Sequence, residues 1–139
     1  MDDGRLTLRI ENRLSEVERA TEIVEAYCAE QGIAPAIAYR VQLAIEEILT
    51  NAIKYGFDDG KPHAAEFSLR RDGEELVLEI SDDGKPFDPT QAPPPKLNAA
   101  LEERRIGGLG VYLVRTMMDE IAYRRSDGRN HLVMRKRLV

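Results

Sequence analysis

The stretch that most constrains this chain is residues 35–56, a proline-led run that closes on Ile45-Glu46-Glu47-Ile48-Leu49-Thr50-Asn51-Ala52-Ile53-Lys54-Tyr55-Gly56. Ile37, Val41, Ala44, Ile45, Ile48 and Ala52 recur at helical spacing, which predicts a long helix with one buried stripe. Pro35 suits the first turn of that helix, and Gly56 ends it. Glu47 and Asn51 lie i,i+4, so both side chains project from one face, one turn apart. A carboxamide oxygen is a hard ligand suited to Mg²⁺, and a neighbouring carboxylate can orient or deprotonate a nucleophile. A solvated face of an ordinary core helix would carry the same pair. Two later stretches decide between these readings.

The rest of the chain is mostly strand-like. Leu6, Leu8 and Ile10 alternate with polar residues as a first strand. A helix follows from about Leu14 to Glu30, with Asn12 or Ser15 as its expected cap and Gln31-Gly32 as its stop. Ala65, Phe67 and Leu69 mark a second strand, and Asp72-Gly73 signals a hairpin into a third, Leu76-Val77-Leu78-Glu79-Ile80. Two closing strands are expected at about Glu120–Arg125 and His131–Leu138, joined at Asp127-Gly128, with Leu132, Met134 and Leu138 facing inward.

Composition excludes several classes of protein. The chain has 139 residues, 42% hydrophobic and 32% charged, which fits one soluble globular domain with a hydrophobic core. A net charge of −5 argues against a nucleic-acid surface. The basic run Arg135-Lys136-Arg137 is expected on a solvated edge. The start of the sequence lacks the apolar segment of a signal peptide, and no run approaches membrane-spanning length, so a cytoplasmic location with no membrane partner is expected. The lone Cys28 is expected as a packed thiol. With only His63 and His131, both in strand-like stretches, a zinc site or serine–histidine triad has little support. The Gly-x-x-x-x-Gly-Lys-Ser/Thr phosphate loop does not occur.

The third strand carries a parity argument. Leu76, Leu78, Ile80 and Asp82 share one face, and the apolar members mark that face as buried. A carboxylate at the end of an inward row needs a partner, such as a ligand with an N–H donor, unless the following Asp83-Gly84 turn carries it into solvent. After Asp83-Gly84 comes Lys85-Pro86-Phe87-Asp88-Pro89, then an irregular stretch at about 90–106 that suits either a lid or a disordered loop. It runs into Gly107-Gly108-Leu109-Gly110 and a helix carrying Val111, Leu113, Val114, Met117 and Met118. Glycines opening into a helix N-terminus suit a phosphate.

The order of these features resembles the Bergerat ATP-binding fold of gyrase, histidine kinases and MutL, and most closely the small anti-sigma-factor serine/threonine kinases (RsbW-like). Residues 46–56 resemble that family's N-box, residues 82–89 its first glycine box and residues 107–114 its second. The resemblance implies that Asn51 ligates Mg²⁺ on the ATP phosphates and that Glu47 is the general base. It implies that Asp82 accepts a hydrogen bond from the adenine amine and that Gly84 lets the base approach the backbone. Lys54, Arg105, Gly107, Gly108, Leu109 and Gly110 complete the implied nucleotide set, with Arg105 (Arg104 behind it) shifted from the family's lid arginine. Pro86 replaces the second glycine of the histidine-kinase box, and no helical phosphoacceptor histidine precedes the ATP module. Both facts point away from histidine autophosphorylation.

The expectation is therefore one domain over residues 1–139, an α/β (α+β) two-layer sandwich of the Bergerat type. Its sheet would be mixed but mostly antiparallel, with helices on one face. The implied function is an ATP- and Mg²⁺-dependent serine/threonine kinase that sequesters a sigma factor and phosphorylates a STAS-type anti-anti-sigma protein, with a homodimer possible. The alternative is a nucleotide-gated binding module with little or no phosphoryl transfer.

Overall fold

Alternation and helical periodicity resolve, in a computed structural model that describes residues 4–57, 59–91 and 109–139, into a sheet of five strands with helices on one face. The order is β1 (Leu6–Glu11), α1 (Leu14–Glu30), α2 (Pro35–Tyr55), β2 (Ala64–Asp72), β3 (Glu75–Asp82), a 3₁₀ turn (Pro89–Gln91), α3 (Leu109–Met117), β4 (Glu120–Ser126) and β5 (Arg129–Arg137). In space the strands run β1-β2-β3-β5-β4. Every strand pair among the described residues is antiparallel, so the sheet has no parallel component of the kind the mixed expectation allowed.

Register explains the core. Leu6, Leu69, Leu78, Met134 and Ile121 stand side by side across all five strands, as do Leu8, Phe67, Ile80, Leu132 and Tyr123. These two rows meet the apolar stripes of the helices: Val17, Ala20 and Val24 of α1, Val41, Ala44, Ile45 and Ile48 of α2, and Val114 of α3. Fully buried side chains such as Phe67, Leu78 and Ile45 each contribute about 1.5–3 kcal/mol over exposure. Cys28 joins this core at 1% exposure, and burial pushes its thiol up to about 11. Val77 is also buried, but on the far face, where its cross-strand neighbours are the long side chains Arg70 and Arg135.

The hairpins form where turn chemistry places them. Gly73 takes φ +62° between β2 and β3, and Asp127 and Gly128 take φ 53° and 73° between β4 and β5. The start of α1 departs from expectation. Its N-cap is Arg13 with no side-chain cap, because Asn12 is engaged elsewhere and Ser15 lies inside the helix. The Asn12 amide donates to Lys61 O at 3.2 Å, and its oxygen accepts from His63 N at 3.2 Å. Asn12 thus ties the end of β1 to the segment before β2.

The basic run near the C-terminus also departs from expectation. β5 is an inner strand rather than an edge, and Lys136 is buried at 8% exposure. Its ammonium is 3.4 Å from Asp119, whose carboxylate also accepts from Arg137 N at 2.6 Å. Arg135 reaches Glu75 at 3.1 Å. A charged run tolerates an inner strand because each cation reaches a carboxylate on a neighbouring element. No helix among the described residues is long and apolar enough to cross a membrane.

Candidate functional site

Beyond the two apolar rows, strands β3, β5 and β4 end in a third row that is polar. Asp82 of β3 pairs with Asn130 of β5, and Asn130 pairs with Arg125 of β4. Period-two alternation from Ile80 and Leu132 turns both Asp82 and Asn130 toward the helix side, and each is 8% exposed. Gly84 N donates to Asp82 Oδ1 at 2.8 Å, and Asn130 Nδ2 donates to the same oxygen at 3.0 Å. Among the described residues no hydrogen bond reaches Asp82 Oδ2.

This row closes one end of a cavity of about 220 Å³. Its opposite wall is the C-terminal half of α2, which contributes Ile48, Asn51, Ala52 and Tyr55 at helical spacing. The loop after β3 forms the rim with Lys85, Pro86, Phe87 and Pro89. That loop is pinned to the end of α2 by Lys85 N donating to Gly56 O at 2.8 Å. A Cβ on Gly84 would lie 2.9 Å from Gly56 O and 3.0 Å from Asp82 Oδ1, so the protein's own packing calls for glycine there.

Of the residues singled out from sequence, Asn51, Asp82 and Gly84 converge at this cavity, two on its walls and one beneath its loop. The Asn51 carboxamide makes no hydrogen bond to a described residue. Glu47 sits one turn before Asn51 on α2, half-buried and off the cavity wall. Burial pushes its carboxyl above the ordinary glutamate value of 4.5, the neighbouring Glu46 adds to that rise, and Lys54 opposes it. Lys54 is exposed, on the same helical stripe as Glu47 and Asn51. Leu109 and Gly110 form the first turn of α3. Arg104, Arg105, Gly107, Gly108 and the part of the expected lid beyond Gln91 lie outside the described residues; among the described residues, Asp88 Oδ1 accepts from Thr90 N at 2.9 Å where the 3₁₀ turn begins.

Sequence reasoning did not single out Asn130, Tyr123 or Arg125. The parity that identified Asp82 applies equally to Asn130, two residues before Leu132. The pairing that sets it beside Asp82 is not local.

A second cluster borders the site. His63, just before β2 rather than within it, stacks on Phe57 with ring centroids 4.4 Å apart. Its Nε2 lies 2.9 Å from both Asp59 carboxylate oxygens, and its Nδ1 lies 3.2 Å from Asp83 Oδ1. A neutral imidazole has only one N–H, so both carboxylates are served only by the imidazolium. The hydrogen bond His63 donates to Asp59 raises the His63 pKa above 6.5, and the one to Asp83 adds to it. A raised folded-state pKa gives stability that is full below about pH 6.5 and is lost as pH rises through the higher folded value. The melting temperature of wild type minus that of His63→Asn should therefore be larger at pH 5.5 than at pH 8.5. Thermal melts giving the same difference at both pH values would refute the doubly bonded imidazolium.

The sequence profile of the histidine kinase-like ATPase domain family matches residues 10–136. The serine/threonine-protein kinase BtrW of Bordetella bronchiseptica is 37% identical over 98 residues, spanning 70% of this chain and 69% of that protein. The serine-protein kinase RsbW of Listeria monocytogenes is 32% identical over 95 residues, spanning 63% of this chain and 59% of that protein. Two solved structures share the fold. One, containing the RsbU and RsbW domains of a Mycobacterium tuberculosis protein, superposes with a TM-score of 0.66 at 16% identity, over 96% of this chain and 32% of that one. The other, from the SiaB–SiaC complex of Pseudomonas aeruginosa, gives 0.60 at 20% identity, over 94% of this chain and 88% of that one.

Proposed function

The chain belongs to the histidine kinase-like ATPase domain family, and on that premise we propose that it is an ATP- and magnesium-dependent protein serine/threonine kinase of the anti-sigma-factor type. The observation that carries this reading is one cavity with Asn51 on its helical wall and Asp82 on its sheet wall, with Glu47 one turn away. Two curated relatives bear the names of serine or serine/threonine kinases, which supports the same chemistry. The adenine end would be held by Asp82, whose Oδ2 is the acceptor left for an exocyclic amine. Gly84 and the loop 85–89 would close over the base.

The phosphate end would lie toward Asn51 and the start of α3, with Lys54, Arg105, Gly107, Gly108, Leu109 and Gly110 as the further nucleotide-binding residues. Magnesium is commonly held by one or two protein oxygens together with phosphates and water, so a single carboxamide at Asn51 fits it. Bound there, magnesium would neutralise phosphate charge and align the γ-phosphoryl group. Glu47 would take the proton from a substrate serine or threonine hydroxyl. That oxygen would attack the γ-phosphorus as the bond to the β-phosphate oxygen breaks and ADP leaves. A carboxylate whose pKa burial has raised is the stronger base for this task.

By the same reading the substrate is a small STAS-type anti-anti-sigma protein, and the kinase also sequesters a sigma factor. A cytoplasmic location and a homodimer belong to this proposal. The test is transfer of labelled γ-phosphate, with magnesium, to a STAS-domain protein that co-purifies with the chain. Phosphoserine or phosphothreonine on that protein, matched by ADP, is the expected result. Nucleotide binding with no such product would overturn the kinase reading in favour of a nucleotide-gated binding module.

A further inference from the structure

One buried side chain directs its whole hydrogen-bonding capacity at the base end of the cavity, and the roles proposed above leave it unused. A carboxamide has two N–H donors and an oxygen with two lone pairs. In Asn130 all four are engaged. Nδ2 donates to Asp82 Oδ1 at 3.0 Å and to Lys85 O at 2.8 Å. The carboxamide oxygen accepts from the Tyr123 hydroxyl at 2.6 Å and from the Arg125 guanidinium at 3.1 Å. This pattern also decides which way the amide points. Reversed, its oxygen would face Asp82 Oδ1 and Lys85 O, and its NH₂ group would face the Arg125 donor.

The consequence falls on Asp82. Oδ1 is occupied by Gly84 N and Asn130, both held by backbone or by further bonds. The carboxylate therefore cannot turn without breaking two buried hydrogen bonds, and Oδ2 is left as its acceptor toward a ligand. Arg125 also donates to Gly84 O at 2.7 Å, so the same network fixes the loop that follows. A satisfied buried network of this kind holds one geometry because each member is costly to leave unpaired.

The geometry points to Asn130 as the positioning residue that sets base selectivity. By locking Asp82 with a lone acceptor oxygen toward the cavity, it favours a purine with an amine at the six-position over one with a carbonyl. The carbonyl would meet Oδ2 acceptor to acceptor. Freed from Asn130, Asp82 can turn and accept from the ring N–H that accompanies such a carbonyl. Selectivity then falls along with affinity. This inference rests on the adenine-nucleotide reading of the cavity.

Calorimetry on the full chain with magnesium, using ADP and inosine diphosphate, tests it. Wild type should prefer ADP. Asn130→Ala should weaken ADP binding roughly tenfold or more, as expected for a lost hydrogen bond to a charged group. It should weaken inosine diphosphate binding much less, so that the ratio of affinities collapses. Tyr123→Phe leaves Asn130 in place and removes one of the two donors to its oxygen; it should lower the ratio a few-fold. It also decides the matter if Asn130→Ala does not fold. Wild type that binds neither nucleotide would overturn the adenine reading itself, and this inference with it. Wild type that prefers ADP, with equal losses for both nucleotides in the variants, would leave that reading standing and overturn the role of Asn130.

Discussion

Glu47→Gln should bind magnesium-ATP as wild type does and transfer its phosphate roughly 10²–10⁴-fold more slowly, the range removed with a general base. The replacement keeps the size and helical position of the side chain, and metal binding is proposed to rest on Asn51. It should also leave the fold intact. The Glu47 carboxyl is half-buried, makes no hydrogen bond to a described residue, and is held above its ordinary pKa chiefly by that burial. A neutral amide of the same shape relieves that penalty, so the variant should melt no lower than wild type near pH 7. The pH profile supplies an independent check. Wild-type kcat should fall on the acid side with a midpoint above 4.5, as Glu47 takes up its proton. That limb should vanish from the residual rate of Glu47→Gln. Single-turnover transfer at unchanged speed in the variant would remove Glu47 from the chemistry.

Asp82→Asn is expected to cost about 3 kcal/mol of ADP binding, roughly a hundredfold in affinity. The size follows from which way the new amide must point. Gly84 N at 2.8 Å and Asn130 Nδ2 at 3.0 Å are both donors aimed at Oδ1, so the carboxamide oxygen will take that position. Its NH₂ group is then turned to the cavity, where it meets the adenine amine donor to donor. The bonds on the protein side survive, so the loss should appear in binding rather than in folding. Inosine diphosphate should suffer less than ADP, because its six-position carbonyl can accept from the new NH₂. Calorimetry that finds equal ADP affinity in wild type and variant would remove Asp82 from the site.

Parts of the candidate site, and the hairpin turns, were legible without a structure because each depends on local geometry. Glu47 and Asn51 share a face because residues four apart on a helix stack one turn above another, and the apolar stripe of residues 37–52 left no doubt about the helix. Asp82 points inward because side chains alternate along a strand, and Leu76, Leu78 and Ile80 marked the buried side. The turns at Asp72-Gly73 and Asp127-Gly128 follow from residues that tolerate positive φ. The expected cap at Asn12 failed for the opposite reason. Its side chain met a stronger claim from Lys61 and His63, 49 and 51 residues away.

Periodicity states which face a residue occupies, but not which residue stands beside it. Asn130 faces the same way as Asp82 by simple alternation, yet the two are 48 residues apart. They meet only because β5 lies between β3 and β4 instead of at the edge. That strand order is a decision of the whole sheet, made where the apolar rows of five strands and the stripes of the helices bury together. It also buries Lys136, which the sequence pattern assigned to a solvated edge, against Asp119. The chain alone thus determined the periodic faces and the turns, and with them the direction of Glu47, Asn51 and Asp82. The tertiary structure alone decided their neighbours, because hydrogen bonds and ion pairs across strands depend on distances that no local repeat specifies.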